Sequence, residues 1–536
     1  MSTLTRRNLL IGAGLGAASI AAVLTGCAPQ GGPAGAGAGG KAAALPTYRA
    51  FTGVKPDLPG ADGVPEAFYR YPSNPVAAIS GKPATSPVSF MCALDNLPQK
   101  PPGNTFWAGL NDRLGADLDI NGVPGADYQA RLSTAIAGGQ LPDLVQLNLD
   151  VPQLNQLLPR RFANLNEYLG GDAVLEYPML ANLPTSAWKN VMINGSIWGV
   201  PYPSVRASSP LFYRSDITDS LGVKPDLQDA QSFLDFCKEV TDKSASRWAI
   251  ASWPTITDWV MEMFGAPNQW KVDDSGAFTR MWESESFLRG VEFLVRMHEA
   301  GVFHPDAFSG QSNNLQNFSA GHTVINSSGF MWWPNFYRDN ASIAGFRVEP
   351  LLAPRHDGGG LAAKWLLNGL YTFAAINADA KPDRIKELLR VQDYLAAPFG
   401  TAEHLYRTYG AEGTHFTWAD GEPVLTETGV ADVSAVPVRF ASGFPTAIYT
   451  PGAPEITKQN WELQKKVVEG GVELPTVGLI SDSQTSLGTS LDRDVRDAIS
   501  EVVQGRRKMG DLEAAVKRWR SGGGDRIADE YAAARA

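Results

Sequence analysis

Ser186 and Lys189 form an S-x-x-K string, the spacing at which a lysine activates a serine nucleophile, but the partner motifs that this chemistry needs are missing. Asp117, Asp119 and Asn121 in "DLDING" open like a calcium loop. Counted from Asp117, however, the twelfth position is Tyr128, where a glutamate ligand is required, so a solvated strand end is the better account. The six histidines show no H-E-x-x-H or other metal-ligand spacing, and no G-x-S-x-G elbow occurs. "GAGLG" (12–16) has the look of a dinucleotide fragment, yet it follows no strand and lies in an apolar leader. A glycoside hydrolase would need two carboxylates across a cleft, and nothing singles out such a pair. The chain is therefore expected to have no catalytic residues, no metal and no cofactor.

One cysteine does have a recognisable chemistry. Arg6 and Arg7 precede the uncharged run 8–26, which is too short and too rich in Gly and Ala for a stable membrane span. The paired arginines resemble a twin-arginine export signal. Leu24-Thr25-Gly26-Cys27 looks like a lipobox, in which the cysteine is lipidated and becomes the mature N-terminus. Residues 1–26 are thus read as a signal peptide, and 27–60 as the lipidated Cys27 followed by a flexible tether, glycine-rich over 28–44.

Cleavage before Cys27 leaves more chain than one hydrophobic core usually serves, so two lobes are expected. An apolar content of 44% and 14 tryptophans suffice for burial, and the formal charge of −10 argues against a nucleic-acid partner. Cys92 falls in an expected strand and Cys237 on an expected helix, and the two read as buried free thiols.

The elements that must position any site alternate between strand and helix. "PVSFMCAL" (87–94) suits a buried strand, and 106–122 gives a helix and then an alternating strand. In 128–150, Tyr128, Leu132, Ala135 and Ile136 share a helical face, Gly138 and Gly139 end the helix, and "DLVQL" makes the next strand. This rhythm predicts a mainly parallel sheet with functional loops at the carboxyl ends of its strands. Pro382 opens a helix over 382–397, and an amphipathic pair spans about 491–520 with Val495, Ile499 and Val502 as its first stripe.

Several segments together resemble the extracellular solute-binding proteins of family 1, the carbohydrate-type receptors of ABC importers. They are "YQARLSTAIAGGQLPDLVQL", "INGSIWGVPYP" (193–203) with "LFYRSDITDSLGVKPD" (211–226), "FSAGHTVINSSGFMWW" (318–333), "AAINADAKPDRIKELLRVQDYLAAPFG" (374–400) and "YGAEGTHFTW" (409–418). The resemblance implies an α/β, two-lobed periplasmic-binding-protein-like (type II) fold with a hinge and an interlobe cleft that closes on its ligand. Lobe 1 is expected over 87–205 plus 374–450 and lobe 2 over 206–373 plus 480–536. Crossings are expected near 204–213, near 366–374 and within 445–480.

A sugar presents C–H groups on its ring faces and hydroxyls on its rim, so a receptor sets aromatic plates against the faces and planar polar groups around the rim. The family likeness marks Trp332 as the first candidate plate, with Trp333 its neighbour and Asn335 just beyond; one of the two indoles is expected to face ligand and the other to pack. Asn148 and Asp150 follow the "DLVQL" strand, where the family places rim-binding groups or where a loop turn would sit. Arg206 lies at the crossing where sugar receptors of this family often carry an acid. It would either fork onto the carboxylate or sulfate of an acidic sugar or close an ion pair across the lobes. Trp253, Asp258 and Trp259, together with Trp365, Asn368 and Tyr371, would line the cleft or belong to the core. Trp198 and Tyr202 are read as hinge packing.

The function so implied is a substrate-binding lipoprotein that delivers a sugar or oligosaccharide to ABC permease subunits. It would be held as a monomer at the extracytoplasmic face of the cell membrane through its N-terminal lipid. The alternative is a secreted carbohydrate-active hydrolase or lyase.

Overall fold

The computed structural model describes residues 43–61, 63–94, 98–310 and 313–535. The signal expected over 1–26, Cys27 and the glycine-rich stretch up to residue 42 lie outside the described residues. From Ala43 onward the tether expected as far as residue 60 is contradicted. The Ala43 N–H donates to Gly195 O at 2.9 Å, Thr47 to Gly171 O at 3.0 Å and Arg49 to Ala181 O at 2.8 Å. The reason is composition: Leu45 and Phe51 supply the apolar surface that the glycine-rich stretch lacks, and both pack on the first core. Glu66–Phe68 then pairs in parallel with Ala447–Tyr449.

The first lobe is built on a five-stranded sheet in the order Leu118–Val123, Val88–Ala93, Leu144–Leu147, Leu370–Ile376, Val200–Pro203. Its helices form for local reasons. Asn104 caps the helix Thr105–Leu114 by accepting from Trp107 N, and Phe106, Trp107, Leu110 and Leu114 form its buried face. The next helix, Gly125–Gly138, buries Tyr128 and Leu132 and stops at Gly139, whose φ of 64° places it in the left-handed region that favours glycine. The "DLDING" segment contributes to the strand Leu118–Val123, paired in parallel with Val88–Ala93, and makes no calcium loop.

The second lobe carries a four-stranded sheet in the order Val348–Leu351, Leu211–Arg214, Thr323–Ser327, Trp248–Ile250. Its core gathers Phe233, Trp259, Leu294 and Trp365 with Val495, Ile499 and Val502 of the helix Thr489–Val503 and Trp519 of the helix Met509–Trp519.

Both sheets are mixed, which corrects the mainly parallel expectation. Leu370–Ile376 runs antiparallel to both its neighbours, and Leu211–Arg214 does so in the second sheet. Each of these strands starts where the chain has just crossed from the other lobe, so it must run opposite to the strands that end there.

The crossings lie side by side as a hydrogen-bonded ribbon. Ser204 N donates to Gly369 O at 2.9 Å and Leu367 N to Arg206 O at 2.7 Å, while Leu366 N donates to Val472 O at 2.9 Å and Val472 N to Lys364 O at 2.8 Å. Asn268 Nδ2 bridges the carbonyls of Leu366 and Val472 at 2.9 and 3.0 Å. Gly471 is required by close approach, because a Cβ there would lie 2.3 Å from Leu366 Cδ2.

Candidate functional site

Two cavities flank the crossing segment 364–371, one on each lobe. The first, about 980 Å³, sits at the carboxyl ends of Val88–Ala93 and Leu144–Leu147 and includes Asn148, Asp150, Asn368, Tyr371, Arg439 and Phe440 in its wall. Asn148 and Asp150 are exposed because the strand has ended and the chain is turning. Tyr371 is 63% exposed for a specific reason. Opposite Val200–Pro203 the register slips between Leu370 and Thr372, so Tyr371 is the extra residue of a bulge and its ring is turned out of the sheet. That ring lies parallel to Phe440 (6.2 Å between centroids, 13°) and edge-on to Tyr202 at 5.4 Å. Asn368 is half-buried; its Oδ1 accepts from Leu370 N at 3.1 Å, which leaves its NH₂ to face outward.

The second cavity, about 590 Å³, is lined by Trp253, Asp258, Trp259, Glu262, Lys364 and Trp365 among others. Trp253 opens the helix Trp253–Met263 just beyond the strand Trp248–Ile250, and it stacks at 6.1 Å and 7° on Phe308. Asp258 is exposed at the cavity, with its carboxylate partly desolvated by the wall around it. That desolvation, and then the nearby charge of Glu262, raise its pKa against the opposing pull of Lys364. Beneath it Lys364 Nζ meets Glu262 Oε2 at 2.6 Å and Ser209 O at 2.8 Å, and Glu262 Oε1 accepts from Ser208 Oγ and Trp365 N. Further in, Arg280 pairs with Asp492 at 3.1 Å between the rings of Trp270 and Trp282.

Several sequence candidates are placed differently from the open-cleft expectation. Trp259 is 2% exposed and packs on Phe233, while Trp365 is 6% exposed with its indole N–H given to Ala266 O at 3.0 Å. Both support the cavity from the core side because their helix and crossing turn those faces inward. Trp333 is 1% exposed, edge-on to Phe212 at 5.4 Å in a small core with Phe318 and Phe336, and so is not a ligand plate. Its neighbour Trp332 is 39% exposed on the 3-10 turn Phe330–Trp332, and Asn335 is half-buried; neither lines the two cavities. Arg206 is held inside the hinge, where its guanidinium is taken by Glu473 and its Nε donates to Leu367 O at 3.4 Å. It is therefore not free to fork onto a ligand. Cys92 and Cys237 are buried free thiols, and burial pushes the Cys92 thiol up to about 12.

Arg439, Phe440, Glu262 and Lys364 escaped the sequence reading. The signal for Arg439 was a lone cation inside the apolar run "AVPVRF"; nothing local marked Glu262 and Lys364, which meet across about a hundred residues.

Comparison with known proteins agrees with this architecture. The chain is 23% identical over 464 residues to the polygalacturonan/rhamnogalacturonan-binding protein YtcQ of Bacillus subtilis (strain 168), covering 81% of this chain and 88% of that one. It is 19% identical over 461 residues to Lipoprotein LipO of the same organism, covering 78% and 86%. The crystal structure of the alginate-binding protein AlgQ2 without calcium ion superposes with a TM-score of 0.61 at 15% identity, over 85% of this chain and 99% of that one, which shows the shared fold. The family model described as bacterial extracellular solute-binding protein matches residues 112–385, just over half of the chain. The chain belongs to the bacterial extracellular solute-binding proteins.

Proposed function

We propose that the chain captures an oligosaccharide between its lobes and hands it to an ABC permease. The observation that carries this reading is Tyr371. An aromatic ring turned out of a sheet by a bulge, backed by Phe440 and ringed by Asn148, Asp150 and Asn368, matches a sugar's apolar face and hydroxylated rim. From the second lobe, Trp253 and the exposed Trp332 are the opposing plates as the lobes close, with Asp258 as an acceptor for hydroxyls. The names of YtcQ and AlgQ2, each given for binding a polysaccharide, support the same ligand class. The lobe boundaries proposed from sequence, 87–205 with 374–450 and 206–373 with 480–536, are supported by the two separate apolar cores.

The protein works as a monomer, anchored at the extracytoplasmic face of the membrane through lipidated Cys27. The lipobox at 24–27 and the lipoprotein name of LipO support the anchor. A soluble chain beginning at Ala43 tests the capture reading in a thermal-shift screen of oligosaccharides. A ligand at 100 times its Kd stabilises by about 2.7 kcal/mol. A panel of plant, algal and bacterial oligosaccharides giving no shift, with none detected by calorimetry, would count against it.

A further inference from the structure

The first-lobe wall holds Arg439, with Arg407 buried behind it, and among the described residues no carboxylate forms an ion pair with either. Arg439 is exposed at the cavity with its guanidinium 4.7 Å over Phe440, and among the described residues no ion pair joins it. Behind it Arg407 is 6% exposed, stacked at 3.9 Å on Phe444, with Nη1 on the carbonyls of Leu395 and Ser442 and Nη2 without a partner. Tyr202 feels both cations, and Arg407 feels the charge of Arg439. Desolvation lowers the Arg407 pKa to about 9, with the charge of Arg439 adding to the effect, so Arg407 remains protonated at neutral pH. In a chain of formal charge −10, acids were plentiful for neutralising this pair. Asp150, the acid among the described residues of this wall, forms no ion pair with Arg439. Like charges with no acid paired to them among the described residues, beside an open cavity, favour an anion placed in it.

We propose that the first-lobe cavity is an acidic-sugar subsite, in which a uronate ring lies on Tyr371 and Arg439 forks onto its carboxylate. Resting on the oligosaccharide reading above, this assigns the charge of the ligand and the residue that selects it. Tyr371 lies parallel to Phe440, Arg439 stands over Phe440, and all three line the one cavity, which puts the ring platform and the guanidinium within reach of one sugar residue. The planar fork matches a carboxylate bidentately and has nothing comparable to offer a neutral hydroxymethyl group. The amides of Asn148 and Asn368 serve the ring hydroxyls, and Asp150 accepts from a hydroxyl at the far rim.

The test is calorimetry at pH 7, in low and moderate salt, on the soluble chain and its Arg439→Gln variant. The probes are trigalacturonate, trimannuronate, the methyl esters of both, and maltotriose. The esters keep ring and hydroxyls and remove the charge. The expected result is that the unaltered chain prefers an acid to its ester by about tenfold or more. Salt should shrink the preference, and Arg439→Gln should abolish it by weakening the acid far more than the ester. Equal binding of acid and ester, exclusive binding of maltotriose, or equal weakening of acid and ester by Arg439→Gln would overturn the assignment while capture itself stands. Binding of none of the five probes would overturn the assignment and count against capture as well.

Discussion

Arg206 and Glu473 are joined in an ion pair at the point where two of the chain crossings lie side by side, and the backbone carbonyl of Arg206 receives the Leu367 N–H at 2.7 Å. The Glu473 side chain is 63% exposed, so solvent screens the pair and its contribution is small. Glu473→Gln should therefore cost under about 1 kcal/mol in urea denaturation. It should also leave the preference for acidic over neutral ligands unchanged. A large shift in that preference would place Arg206 among the ligand contacts.

The pair beneath the second cavity behaves differently. The side chains of Lys364 and Glu262 are 4% and 1% exposed, so bulk solvent screens their charges little. Lys364→Met leaves the buried Glu262 carboxylate without its counter-charge and should cost about 3–5 kcal/mol. The double variant Lys364→Met/Glu262→Gln should recover most of that loss. Comparison of the urea midpoints of the two variants checks it, and a double variant no better than the single would deny that the stranded charge is the cause.

Trp332 and Trp333 are neighbours with opposite assignments. Trp333→Ala empties a packed core and should lower stability by about 3–5 kcal/mol. Trp332→Ala should leave the melting temperature within a degree or two of the unaltered chain while weakening ligand binding by about tenfold. The same loss of affinity is expected for Tyr371→Ala. Melting curves and calorimetry on the three variants separate the roles.

Two buried groups make opposing contributions to the pH dependence of stability. Desolvation raises the Asp393 pKa to about 7 against the lowering by the N–H groups of Leu180 and Met179. The folded state therefore binds its proton more tightly than the unfolded chain, and this contribution is lost as pH rises to 7. Burial, and then the charge of Arg407, lower the His404 pKa to about 3. The unfolded chain takes that proton first, so stability falls as pH drops below the ordinary histidine value. Between pH 7 and 5 the two largely cancel, each on the order of 2 kcal/mol. Asp393→Asn should uncover the histidine effect as a loss of about 2 kcal/mol over that range. Chemical denaturation at pH 7 and pH 5 is the check, and a variant as flat as the unaltered chain would contradict the opposing signs.

The elements were legible wherever the signal was local. The helix expected from 106, Gly139 after an apolar face, and Val495, Ile499 and Val502 at helical spacing each carry their structural meaning within a few residues. Strand direction was not local. Leu370–Ile376 runs antiparallel because of where the chain arrives from, which no window around it records. The cleft was legible in part for the same reason. Asn148, Asp150, Asn368 and Tyr371 meet in one cavity as strand ends and crossings require. Which indole of the 332–333 pair turns outward depends on Phe212 and Phe318 from distant elements. Arg206 found its acid more than 260 residues away, and Arg439 drew no notice because its significance lies in having no ion-pair partner among the described residues.

The adjoining crossings, laced through Gly369, Arg206, Leu366 and Val472, have a mechanical consequence. Independent threads would let one half of the molecule swivel and slide against the other. Strips bonded edge to edge flex together, like a leaf spring, along a single soft coordinate.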